Sequence, residues 1–146
     1  MNLTETEKAY LAGLFDGEGS VGYYKYSKQK THLPQVQIAN ADPRVMEWLK
    51  AKIPFGSVGI NKTNKFTVFQ WCVRGKKGVS QFLRAIQPFL VVKRDQSELL
   101  LNFLDAEQAV RGIGNGKRLS ENDLYKRENL VDALRHLKTA SYLTAS

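Results

Sequence analysis

Two carboxylates, Asp16 and Glu18, alternate with glycine in the stretch YLAGLFDGEG, Tyr10 to Gly19, at the end of an amphipathic helical pattern. A helix C-terminus carries partial negative charge and favours cations, so acids placed there need a counter-charge. Ala9, Gly13 and Gly17 recur four apart and form a stripe of small side chains, with Ala12 beside it and Leu11, Leu14 and Phe15 on the opposite side. Each helical glycine costs about 1 kcal/mol against alanine, which a close backbone crossing on the bare face would offset. No second segment repeats the stripe and its acid, so the expected partner is the same helix in a second copy of the chain. A two-fold axis between two such helices brings two Glu18 carboxylates together. They repel unless a divalent cation neutralises them, and a metal site would assemble in this way at a dimer axis.

The surrounding elements must hold that helix end in place. Thr4 and Glu7 form an S/T-x-x-E capping box, so the first helix is expected over about Glu5 to Asp16, stopped by the two glycines. SVGYYKYSK and LPQVQIAN alternate as two strands of a hairpin turning around Gln29 to His32. Asp42 as N-cap and Pro43 at the first helical position open a second helix with Val45, Met46, Leu49 and Ile53 on its apolar face. GSVGINK and KFTVFQWCVR predict a second hairpin turning at Lys62 to Asn64. Val79, Phe82, Leu83 and Ile86 mark a third helix closed by Pro88, and a longer one is expected from about Val92 to Val110. Beyond the glycine-rich GIGNG, Ser120 caps a last helix bearing Leu124, Val131, Leu134 and Leu137. The segment GNGKRLS lies between two helical patterns and lacks the preceding strand that a phosphate loop needs. This order predicts an α+β fold: an αββαββα core with an antiparallel sheet, plus C-terminal helices. The whole reads as one domain over 1–146, with a core of about 5–111 and a helical extension of about 118–140.

A chain of 146 residues that is 42% hydrophobic can build a core unaided. Its single cysteine, Cys72, excludes an internal disulfide framework, and there is no CxxC or His/Cys cluster for zinc. A reducing, intracellular compartment is expected, with no membrane partner, since no apolar run is long enough to span a bilayer. The start MNLTETEKAY also lacks the basic and apolar regions of a signal peptide. A net charge of +8 points to a polyanionic partner. Between Glu47 and Asp95 lie ten Lys or Arg residues and no acid, and Gly19 to Ala41 holds three lysines and no acid. Both segments read as strands, so a sheet with one basic face is expected; lysines that keep a solvated edge from aggregating are the alternative.

The stretch LAGLFDGEG resembles the motif that names the LAGLIDADG homing endonucleases, and IQPFLVVKR at Ile86 to Arg94 extends the resemblance. With the element order it covers about Tyr10 to Leu104, and one motif per chain resembles the homodimeric members. The resemblance implies that Glu18, an acid-for-acid departure from the family aspartate, binds the catalytic metal together with the backbone carbonyl of Gly17. It implies a structural Asp16 at a helix–helix dimer interface shared with Ala9, Ala12, Gly13 and Gly17. Mg²⁺ is the implied cofactor, with Mn²⁺ or Ca²⁺ able to occupy the same site. Asn40, closing VQIAN, and Lys93 match further family positions, Asn40 to place a water and Lys93 to polarise the water network or stabilise transition-state charge. Lys93 also reads as an ordinary helix-start lysine, but a cation there opposes the helix dipole, which a nearby phosphate would explain. The implied activity is metal-assisted hydrolysis of both strands of a long pseudo-palindromic double-stranded DNA site, leaving 3′ overhangs, in the service of intron or intein mobility.

Strand alternation assigns the faces. Val36 and Ile38 point inward, which leaves Gln35 and Gln37 outward; Tyr24, Tyr26 and Lys28 are outward on the first strand, with Lys30 in the turn. In the second hairpin Val58, Ile60, Phe69, Trp71 and Val73 are expected inward and Gln70, Cys72 and Arg74 outward, with Asn61, Lys62 and Lys65 at or near the tip. Together these make a basic, amide-rich saddle suited to a major groove, where glutamines read adenine edges and lysines hold phosphates. Two other readings stand beside this one: a maturase that grips host intron RNA on the same sheet, and a non-catalytic DNA-binding regulator on the same scaffold.

Overall fold

The computed structural model describes residues 1–26, 31–111 and 120–143. Capping side chains set where its helices begin. Thr4 Oγ1 accepts the Glu7 N–H at 3.2 Å and the Glu7 carboxylate accepts the Thr4 N–H at 3.0 Å, a complete capping box at the head of α1 (Glu5–Glu18). Asp42 accepts the Arg44 N–H at 2.9 Å with Pro43 in the first turn of α2 (Pro43–Lys52). The end of α1 differs from expectation: the helix continues through Gly17 to Glu18, and Gly19 is its C-cap, donating its N–H to the Phe15 carbonyl. One helical glycine weakens a helix without ending it. The stop falls at Gly19 because the backbone turns extended there directly over the Phe15 ring, where any Cβ would collide.

Two hairpins follow from the alternation: β1 (Gly19–Tyr26) with β2 (Thr31–Asn40), and β3 (Ser57–Lys62) with β4 (Thr67–Arg74). Thr31 and His32, expected in the first turn, open β2 instead; Lys28, Lys30 and the GIGNG segment lie outside the described residues. The four strands form one antiparallel sheet in the order β1-β2-β4-β3, with Gly19 opposite Ile38, Gln35 opposite Arg74 and Gln37 opposite Cys72. Helices α3 (Lys76–Ile86), α4 (Arg94–Arg111) and α5 (Glu121–Leu143) complete the chain, with a 3₁₀ turn at Gln87–Phe89 between α3 and α4. The result is the α+β architecture with C-terminal helices that the sequence predicts.

The core lies on one face of the sheet. Val21, Val36, Ile38, Trp71 and Val73 meet Leu11 and Phe15 of α1, Met46 and Leu49 of α2, and Val79, Phe82, Leu83 and Ile86 of α3. The Phe82 ring centre is 5.2 Å from those of both Phe15 and Trp71, so α1, α3 and β4 share one aromatic junction. Glu107 of α4 binds Arg127 of α5 at 2.7 Å and also Lys76 of α3; the buried Arg127 is thus charge-compensated where the three helices meet. Two face assignments change. Ala12 is fully buried in the core rather than on the bare stripe, because it lies toward Phe15 on the helix surface. Ile60 has core-side parity yet is 56% exposed, since edge strand β3 runs past the helices that cover β2 and β4.

Candidate metal and nucleic-acid site

The last turn of α1 delivers Asp16, Gly17 and Glu18 together, and the chain returns to them just before α4. Asp16 Oδ2 accepts the Val91 N–H at 2.8 Å and Oδ1 accepts the Lys93 N–H at 2.9 Å, while the Lys93 ammonium donates to the Asp16 carbonyl oxygen. An acid at the negative end of α1 is therefore placed at the amino end of α4, whose outward N–H groups favour it. Lys93, which opposes the dipole of α4, neutralises the carbonyl end of α1. Each charge that is misplaced on its own helix is well placed on the other.

Burial pushes the Lys93 ammonium below the ordinary lysine range, and the Asp16 and Glu18 carboxylates pull it partly back up. Glu18, the final helical residue, is exposed beside this clasp. Asn40 lies two residues beyond Ile38, the partner of Gly19, and so at the sheet end where α1 passes into β1. Its Oδ1 accepts the Asp42 N–H at 2.8 Å, which ties it to the turn into α2. Among the described residues no three His, Cys, Asp or Glu side chains gather as a metal cluster.

Along the rest of α1, Ala9, Gly13 and Gly17 are exposed, and a Cβ added at Gly13 or Gly17 would meet nothing within 4 Å. The described residues of this chain thus leave the bare stripe uncovered. Beside its acidic end Val91 is 80% exposed and Val92 is exposed as well.

The outer face of the sheet carries a linked row of polar side chains. Arg74 Nε donates to Gln35 Oε1 at 2.9 Å, Gln35 Nε2 donates to Gln37 Oε1 at 2.9 Å, and Gln70 Nε2 donates to the same oxygen at 2.5 Å. The row crosses the two central strands, β2 and β4. Gln35 has the expected outward parity but is only 8% exposed, lying under Arg74, and Cys72 is equally covered. Burial raises the Cys72 thiol pKa, with the nearby Arg74 charge opposing it, and so disfavours the reactive thiolate. On β1 the exposed Tyr24 ring folds back over Gly22 and would have to swing away to admit a side chain there. Tyr26 ends β1, and Asn61, Lys62 and Lys65 are exposed around the second hairpin tip, where Thr63 Oγ1 accepts the Phe66 N–H at 3.0 Å. Sequence reasoning missed the cations Arg135 and Lys138 on α5; their one signal was a spacing that interleaves them with Val131 and Leu134 on a packing face.

No protein-family model matches this chain, and no curated protein does. Solved structures do match. The archaeal intron-encoded homing endonuclease I-Vdi141I, complexed with DNA, aligns with a TM-score of 0.72 at 18% identity over 91% of this chain and 84% of its own. The homing endonuclease I-TnaI aligns with a TM-score of 0.64 at 19% identity over 97% of this chain and 99% of its own. The LAGLIDADG meganuclease I-AabMI, bound to uncleaved DNA, aligns with a TM-score of 0.66 at 19% identity over 84% of this chain but 43% of its own. The fold of this chain is that of the LAGLIDADG homing endonucleases.

Proposed function

We propose that the chain is a homodimeric DNA endonuclease that uses a divalent metal to hydrolyse both strands of a long pseudo-palindromic site, leaving 3′ overhangs. The observation that carries this reading is the end of α1, where exposed Glu18 stands beside the Asp16–Lys93 clasp on a helix whose glycine stripe meets nothing among the described residues. A second α1 packed on that stripe would cover Gly13, Gly17 and the exposed valines, and would bring two Glu18 carboxylates together. The donor set fits a hard cation: a carboxylate and the carbonyl of Gly17, all oxygen. Bound there, Mg²⁺, or Mn²⁺ or Ca²⁺ in its place, supplies positive charge to a phosphodiester in its transition state. Homing endonuclease I-CvuI has been solved on DNA in the presence of Mg and, separately, of Ca, in keeping with such a site.

The chain's own residues do the rest. Lys93, anchored on the α1 carbonyl end, places a cation next to Glu18 for the developing phosphate charge. Asn40 is positioned at the same sheet end to orient a water. The Arg74–Gln35–Gln37–Gln70 row supplies amide groups for base edges, with Tyr24, Tyr26, Asn61, Lys62 and Lys65 flanking it, and Lys28 and Lys30 belong to the same proposed surface.

Selection of cleaved sites from a randomised duplex library with Mg²⁺ tests the reading. Enrichment of one pseudo-palindromic sequence, cut on both strands by a species sedimenting as a dimer, is expected. Binding without cleavage would overturn the endonuclease assignment in favour of a DNA-binding regulator, and a monomer on DNA would overturn the two-fold arrangement.

A further inference from the structure

A second cluster of cations lies between edge strand β1 and α5. A cavity of about 360 Å³ there is lined by Lys25, Arg135 and Lys138 together with His32, Gly22 and Tyr24, and no acid is among its described lining residues. The nearest described carboxylate to Arg135 is Asp132, 3.9 Å away with both groups exposed, a contact of little strength. Lys138 is half-buried; burial first, and then the charges of Lys93 and Arg135, hold its ammonium below the ordinary lysine range. Three cations around one cavity repel each other, and an anion between them removes that repulsion.

His32 adds an independent observation. It is 7% exposed, stacks parallel to the Tyr23 ring at 5.8 Å, and its Nδ1 has no hydrogen-bond partner among the described residues. A buried polar atom left without a partner costs about 1–3 kcal/mol, so such an atom beside a cation-lined cavity can form a hydrogen bond with a bound group.

The cavity's position selects the ligand. Gly22 and Tyr24 have outer-face parity whereas Lys25 and His32 have core-face parity, so the cavity wraps the edge of β1, which among the described residues pairs only with β2. Gly22 in its lining is paired with Gln35 of the glutamine row, and Lys138 in its lining feels the charge of Lys93. We infer that this cavity binds a phosphate group of the DNA strand that passes the β1 edge, with Lys25, Arg135 and Lys138 neutralising it and the His32 imidazole bonding to an oxygen. The inference rests on the DNA reading above. It adds α5 to the nucleic-acid surface and makes the C-terminal helix a strand clamp as well as a cover for β1.

The test uses the full chain and two probes: a mixed-sequence duplex several helical turns long, and inorganic phosphate. The ring nitrogens of His32 are followed by NMR during each titration, and the salt dependence of duplex binding is measured for the parent, Arg135→Gln, Lys138→Gln and the charge control Lys126→Gln. The duplex is expected to shift the His32 resonances, and each of the two cavity variants to lower the slope of log affinity against log salt by about 0.9, the value of one phosphate contact. The control should leave the slope unchanged. Intact duplex binding with unaltered slopes in both cavity variants would overturn the inference and leave the DNA reading standing. A His32 response to inorganic phosphate alone would overturn the DNA strand as the source and assign the cavity to a free anion. Absence of duplex binding by the parent would overturn the DNA reading itself.

Discussion

Asp16 and Lys93 each bind the other's main chain: the carboxylate accepts the Lys93 N–H at 2.9 Å, and the ammonium donates to the Asp16 carbonyl oxygen. This reciprocal clasp joins the end of α1 to the start of α4 and fixes a half-buried cation beside Glu18. Asp16→Ala removes the acceptors of both the Val91 and Lys93 N–H groups. It should cost about 1–3 kcal/mol, read as a lower urea midpoint at unchanged slope. Asp16→Asn, which keeps one acceptor oxygen, should fall between that variant and the parent. Equal midpoints for all three proteins would mean that the clasp holds nothing.

His32 predicts an acid-side loss of stability. Burial depresses its pKa, Lys25 and Arg127 add to the effect, and Glu128 opposes it. A base whose folded pKa lies below its unfolded value binds fewer protons when folded, so stability is full above the ordinary histidine pKa of about 6.5 and falls as pH drops toward the folded pKa. The His32→Gln variant should lack that slope. Denaturant midpoints between neutral and mildly acidic pH check this, and parallel profiles for variant and parent would contradict it.

The open space at Gly13 separates folding from assembly. Gly13→Ala fits the monomer without contact and should stabilise α1 by up to about 1 kcal/mol. Gly13→Leu should also leave the monomer folded, yet block a close crossing of two helices. Sedimentation is expected to show a monomer for Gly13→Leu and a dimer for the parent. A dimer that survives the leucine would place the interface elsewhere.

The outer-face row divides affinity from discrimination. Arg74→Gln removes an exposed cation and should lower the salt slope of duplex binding by about 0.9. Gln37→Ala removes the side-chain oxygen to which the amide groups of Gln35 and Gln70 both donate. It should change the selected bases while leaving the salt slope alone. A changed slope with unchanged base preference would reverse these roles.

Much of the fold was legible because the signals are local. Thr4 with Glu7 and Asp42 with Pro43 act within one turn, and the alternation of Val36 and Ile38 or Trp71 and Val73 is set by the pleat itself. The misreadings come from effects that local pattern does not contain. The stop at Gly19 instead of Asp16 depends on the Phe15 ring beneath it. The exposure of Ile60 depends on how far the helices reach along β3, and the burial of Gln35 on an arginine 39 positions away. At the site, Glu18 and Lys93 are proposed from the motif resemblance and from a dipole that does not fit. The partner that accounts for Lys93 is the carbonyl end of another helix, 77 positions away, and no spacing along the chain encodes that pairing.

The central claim is that Glu18 holds the metal that cuts DNA. It is tested most directly by comparing cleavage and binding of one selected duplex by the parent and by Glu18→Gln in the presence of Mg²⁺. Because Glu18 is exposed, the variant should match the parent in stability within about 0.5 kcal/mol and in duplex affinity measured without metal. Its cleavage of both strands should be lost. Cleavage at the parent's rate by a folded, DNA-bound Glu18→Gln protein would contradict the account.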